Sequence, residues 1–171
     1  MTRASLARSV LGVALALASA SCDEIVDDSS FQLWCGDVPC EWTIEEGSVA
    51  RAPTWHDDDY GVSLVADPTA ISQLVPNRRL YQGCIRFELI SYVEKGSELR
   101  LELDFEDDGT RELDRTLDRA NWHTDVFYVG SPPGYGSVRI RLVKYGPGRA
   151  IVAQLRAQGV PSDEGCLGPS L

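Results

Sequence analysis

The chain is 171 residues long, with 16 Lys plus Arg against 26 Asp plus Glu and a net charge of −10. Acidity of this size argues against nucleic acid and anionic lipid as partners, because binding either brings like charges together. No stretch reaches the roughly 20 consecutive apolar residues that a membrane-spanning helix needs.

Arg3 and Arg8 precede an apolar run from Val10 to Ala20, which ends in Ser19-Ala20-Ser21-Cys22. A basic start, a short apolar centre and small residues at the exit predict a secretory signal peptide over residues 1–21. Its removal leaves 150 residues, enough for one domain with a continuous core, and takes away two Arg and no acids, so the mature charge is −12. Small residues directly before a cysteine resemble the bacterial lipobox, with Ser19 where that pattern prefers Leu. The resemblance implies that Cys22 is lipidated and becomes the mature N-terminus. The protein is then expected in a bacterial cell envelope, held to a membrane by its lipid and facing the periplasm or the exterior. Residues 22–33 read as the lipidated cysteine and a polar tether, and residues 34–171 as a single domain.

With Cys22 assigned to lipid, four cysteines remain, and an even count in an exported chain favours disulfides. Four cysteines allow three pairings; Cys35 and Cys40 bracket the turn-forming Gly36-Asp37-Val38-Pro39, which favours that pair and with it Cys84 to Cys166. The second bridge closes a loop of about 80 residues, worth about 4 kcal/mol in the chain-entropy model. A zinc site is the rival, but the spacing lacks paired C-x-x-C knuckles.

Trp42 and Ile44 alternate with Glu41, Thr43 and Glu45; Gly47-Ser48 marks a turn, and Val49 to Ala52 returns as a short strand that Pro53 ends. The polar loop Trp55 to Gly61 leads into Val62 to Ala66, and Asp67-Pro68-Thr69 turns the chain into Ile71 to Val75. Ile85, Phe87 and Leu89 oppose Arg86 and Glu88, and Lys95-Gly96 turns into Leu99-Arg100-Leu101-Glu102-Leu103-Asp104-Phe105, where apolar and charged residues alternate without a slip. A strand sends successive side chains to opposite faces, so four apolar groups point inward and three charges outward. Asp108-Gly109 predicts a tight hairpin, and Arg111 to Arg119 reads as the returning strand. Val126 to Val129 is apolar on both faces, which predicts that both are covered; Val138 to Val143 and Ile151 to Leu155 supply two more strands, separated by Tyr145-Gly146-Pro147-Gly148. Gly159 onward is a tail that Cys166 pins.

Strands every 8 to 14 residues, without a convincing long helix, predict an all-β, two-sheet antiparallel β-sandwich of nine or ten strands. Ile85 to Phe105, Asn121-Trp122-His123-Thr124 before Val126 to Val129, and Ser137-Val138-Arg139-Ile140-Arg141-Leu142 resemble the galactose-binding-like jelly roll of carbohydrate-binding modules. The resemblance implies a jelly roll that recognises sugars with aromatic side chains. The chain as a whole also resembles small, cysteine-bearing bacterial lipoproteins.

Flat rings cover the apolar faces of sugars, and the aromatics in or beside loops are Trp34, Trp55, Tyr60, Tyr92, Trp122 and Tyr135. Trp55, Tyr60 and Tyr135 are the candidates for a ligand, although such rings also plug sandwich ends. Arg100 and Arg139 are candidates on the outward strand faces with Glu102, Asp104 and Arg141, where alternating sign favours cross-strand ion pairs. Asp57, Asp58 and Asp59, and Glu106, Asp107 and Asp108, invite calcium, which takes oxygen ligands, but neither run has the spaced D-x-D-x-D-G pattern. No cofactor is therefore expected, with a structural calcium, which the jelly-roll resemblance implies, as the alternative. His56 and His123 each follow a Trp and sit in no nucleophile or zinc motif, so no enzyme is expected. The leading reading is a monomeric, non-catalytic, lipid-anchored domain that recognises a carbohydrate or a surface protein; the alternative is a structural or assembly lipoprotein without a small ligand.

Overall fold

The computed structural model describes residues 24–56, 58–76, 83–160 and 166. The expected signal peptide over residues 1–21 and Cys22 lie outside the described residues. The described residues form twelve strands: β1 (Trp34–Cys35), β2 (Val38–Pro39), β3 (Thr43–Glu46), β4 (Val49–Pro53), β5 (Tyr60–Leu64), β6 (Thr69–Pro76), β7 (Cys84–Val93), β8 (Glu98–Phe105), β9 (Leu113–Leu117), β10 (His123–Gly130), β11 (Ser137–Tyr145) and β12 (Ala150–Val160). Strands β1 and β2 make a small hairpin, and the other ten form two five-stranded antiparallel sheets, β10-β7-β12-β5-β4 and β3-β6-β11-β8-β9. This is the expected all-β sandwich of the jelly-roll type.

Every second residue builds the core. Leu99, Leu101, Leu103 and Phe105 of β8 lie against Ile85, Phe87 and Leu89 of β7 in one continuous cluster. Burying a side chain of this kind stabilises the fold by roughly 2 kcal/mol. The turn after β8 is wider than the tight hairpin expected: Leu113 opposes Leu103, and residues 106–112 loop out between them. Positive φ falls on Glu106 and Asp107 as well as Gly109, and the Asp104 carboxylate ties the loop by accepting the Asp108 and Gly109 amides. Two more expectations are corrected. Glu102, alternating with the inward leucines, is buried all the same beneath its arginine partners, and Val126 stands exposed rather than covered, because β10 is an edge strand.

Residues 24–33 are part of the body and not a free tether. Ile25, Val26 and Phe31 are buried in the core. The Ile25 amide donates to the Ala157 carbonyl at 2.9 Å, and the Leu155 amide donates to the Ser29 carbonyl at 2.8 Å. The segment thus runs beside β12 just where β5 leaves it, since β5 pairs with β12 only as far as Val62 opposite Val152. Gly61 permits the departure: a Cβ there would collide with the Val152 carbonyl. Gln73 reaches from β6 to clasp both the amide and the carbonyl of Asp27, at 2.9 Å each. Charged residues at 23, 24, 27 and 28 hid the three apolar anchors among them.

Both expected disulfides are present, with Cα separations of 5.0 Å for Cys35 and Cys40 and 5.8 Å for Cys84 and Cys166. The second joins the start of β7 to the tail.

Lys144 is fully buried, and its ammonium donates to the carbonyls of Val65, Ala66 and Gly146. It stitches the β5–β6 connection to the β11–β12 turn. Lys144→Met is expected to lower stability by about 3 kcal/mol, because it leaves three part-buried carbonyls without their donor; the shift of the urea midpoint measures it.

Candidate functional site

Outward positions of β7 alternate with its buried ones, so Ile90 and Tyr92 face away from the core on the first sheet. Two loops place indoles over them. The β4–β5 loop closes on itself through the Thr54 amide on the Asp59 carbonyl, the Asp59 amide on the His56 carbonyl and the His56 amide on the Thr54 hydroxyl. Trp55 projects from this closed loop, exposed over 44% of its surface. The β9–β10 connection is tied to the end of β7 by the Val93 amide on the Arg119 carbonyl, at 3.2 Å, and delivers Trp122. The two indole centroids stand 5.0 Å apart with their planes tilted by 57°, and Tyr92 lies 5.8 Å beyond Trp122.

Trp55 and Ile90 border two shallow hollows open to solvent. The first is lined by Ser30, Gln32, Thr54, His56, Asp59, Tyr60, Ala153 and Gln154, and the second by Trp122, His123 and Thr124. A β-bulge between Val152 and Gln154 sets Gln154 opposite Ile90, an example of a bulge re-aiming a side chain. Gln32 donates to the Tyr60 carbonyl and to the Ser30 carbonyl, fixing that rim. In the second hollow the His123 ring lies between the Arg119 guanidinium and the Asp125 carboxylate, 3.4 Å from the latter. Apolar ring surface flanked by amides, hydroxyls and imidazoles suits a polyhydroxylated ligand, which needs both.

Of the residues expected at a site, Trp55 and Tyr60 border these hollows. Tyr60 is 38% exposed and carries the Arg51 guanidinium 4.1 Å from its ring centre. Tyr135 is corrected: it is buried, edge-on to Phe105 at 4.9 Å, and burial pushes its phenol pKa up. It plugs the sandwich end. Arg100 and Arg139 belong to the other sheet, away from the rings. Arg100 pairs with Glu98 at 2.5 Å, and Arg139 with Asp107 at 2.5 Å and Glu45 at 3.6 Å. Trp122, one of the loop aromatics, joins the site without being among the chosen candidates, and Gln32, Ile90, Thr124 and Gln154 join it from positions that the sequence does not single out. One signal pointed to Trp122: the dipeptide Trp-His occurs at 55–56 and again at 122–123, and the structure brings the two indoles together.

The charged face of the second sheet is a closed network. Arg141 bridges Glu45 at 2.5 Å and Glu102 at 2.7 Å, and Arg111 approaches Glu102 at 3.1 Å. Burial alone would raise the Glu45 carboxyl, but hydrogen bonds from Ser72 and Arg141 and the charges of Arg141 and Arg139 outweigh it and hold the pKa below its ordinary value. The Arg139 hydrogen bond lowers Asp107 likewise. A carboxylate with a lowered folded pKa binds fewer protons folded than unfolded, so its contribution is present above the unfolded value near pH 4 and is lost as pH falls through the folded one. Glu45→Gln is expected to flatten the loss of stability on acidification from about pH 5 to pH 3, read from urea midpoints across that range. In the acidic run at 106–108, the Glu106 carboxylate accepts the Gly136 amide, Asp107 holds Arg139, and Asp108 accepts the Thr110 amide. Of the other run, Asp57 lies outside the described residues.

No family model and no curated protein matches the chain. Solved structures match its fold. The enzymatically active domain of bacteriophage CBA120 tailspike protein 4 aligns over 80% of the chain with a TM-score of 0.62 and 11% identity, and the chain spans about a fifth (21%) of that protein's length. TmCBM61, in complex with β-1,4-galactotriose, aligns over 79% of this chain and 97% of its own, with a TM-score of 0.57 and 15% identity. The CBM22-1 xylan-binding domain of Paenibacillus barcinonensis Xyn10C aligns over 80% and 94%, with a TM-score of 0.57 and 9% identity. At these identities the likeness is one of fold: the chain has the β-sandwich architecture of carbohydrate-binding modules.

Proposed function

We propose that this protein is a non-catalytic carbohydrate-recognition domain, anchored through a lipid on Cys22 in a bacterial cell envelope, and that it takes its ligand on the outer face of the first sheet. The observation that carries this reading is the exposed indole of Trp55, in contact with Trp122 and flanked by two polar hollows. The fold is shared with modules that hold galactotriose and xylan, which agrees with the reading without naming the sugar. Recognition is favoured over cleavage because glycoside hydrolysis uses two facing carboxylates; among the described lining residues the first hollow offers only Asp59 and the second none. A glycan array probed with the soluble, unlipidated chain from Asp23 tests the proposal. Retention of a defined sugar set is expected; no retention at high protein loading returns the chain to a structural or assembly role. Cys22→Ser is expected to release the protein from membranes, as membrane fractionation would show.

A further inference from the structure

The order of residues 24–33 fixes where the recognition face works, given the lipid and carbohydrate readings above. The Glu24 carboxylate accepts the Ala157 amide at 2.7 Å, Ile25 donates to the Ala157 carbonyl, and Ile25 and Val26 are buried. The body therefore begins two residues after Cys22. Two residues span at most about 7 Å. From Ala157 along β12 to Gln154, at the border of the first hollow, is three residues, or about 10 Å. The same segment then delivers Ser30 and Gln32 to that hollow.

We propose that the ring-bearing face is held within about 20 Å of the bilayer that carries the protein, and that its occupant is a glycan at that surface, either the sugar head of a lipid or a polysaccharide lying on the membrane. Charge sets the other limit. A mature chain of −12 is repelled by an anionic bilayer over a Debye length of about 8 Å, so the lipid holds the face close while the charge keeps it off the bare headgroups and in the layer that sugars occupy.

The acylated full chain in phosphatidylcholine vesicles containing a dansyl-labelled lipid tests the placement by energy transfer from tryptophan. Inserting 20 Gly/Ser residues between Asp23 and Glu24 adds a coil of about 25 Å and is expected to lower transfer several-fold. Equal transfer with and without the insert, on a chain whose N-terminal peptide has the mass of the acylated form, overturns the placement and leaves recognition standing. A peptide without acyl groups overturns the anchor itself. For the occupant, the soluble, unlipidated chain from Asp23 is mixed with isolated envelope membranes. Binding that organic extraction abolishes marks a lipid head, binding that survives marks a polysaccharide, and no binding to unextracted membranes overturns the assignment.

Discussion

Replacing Trp55 and Trp122 with alanine together is expected to abolish sugar binding while leaving the fold intact. A ring residue that acts as a binding hot spot contributes about 2 kcal/mol or more, so each single change should weaken binding by roughly 30-fold, and about 1000-fold is the ceiling for the pair. The indoles touch each other, so the two losses need not add, and the double variant should fall short of the product. Both sit in loops on the outer face, outside the core cluster, so the unfolding midpoint should move little. Isothermal titration with a sugar retained on the array, beside a urea melt, separates the outcomes. Unchanged affinity in the double variant removes the assignment of this face, and lost affinity with a collapsed midpoint makes the indoles structural. Arg139→Ala is the control, since that side chain lies on the opposite sheet and is occupied by Asp107 and Glu45. It should leave affinity unchanged.

Cys84→Ala with Cys166→Ala should have the largest effect on stability. The bridge joins residues 82 apart in sequence, and closing a loop of that size lowers the entropy of the unfolded chain by the equivalent of about 4.5 kcal/mol. At a shift of roughly 2 to 4 °C per kcal/mol for a domain of this size, the melting temperature should drop by about 10 °C or more. The Cys35–Cys40 bridge closes a separation of only 5, within a small hairpin outside both main sheets, and its removal should cost distinctly less. Equal effects of the two removals in calorimetry would refute this ordering.

The chain shows which of its features are local and which are not. The alternation in Leu99 to Phe105 and Val138 to Leu142 placed the central strands, because residues two apart on a strand share a face wherever the strand is. Sequence reading failed where one local pattern serves two burials. Gly134-Tyr135-Gly136 has the composition of an exposed loop, yet Phe105 receives its ring. Glu102 stands in line with exposed charges, yet Arg141 and Arg111 cover it. Residues 23–33 are acidic enough for a spacer, yet Ile25, Val26 and Phe31 fill the gap left where β5 parts from β12.

The candidate site divides in the same way. Sequence alone pointed to an antiparallel two-sheet sandwich, favoured the Cys35–Cys40 pair around its turn among three possible pairings, and placed Trp55 in a polar loop off the sheets. Those properties follow from backbone period and turn chemistry, which act over a few residues. Tertiary structure alone decided that Trp122, 67 positions later in the chain, meets Trp55, that a bulge sets Gln154 opposite Ile90, and that Arg100 and Arg139 fall on the far sheet. The order of strands within a sheet sets such meetings, and strand order depends on which surfaces bury each other across the whole chain.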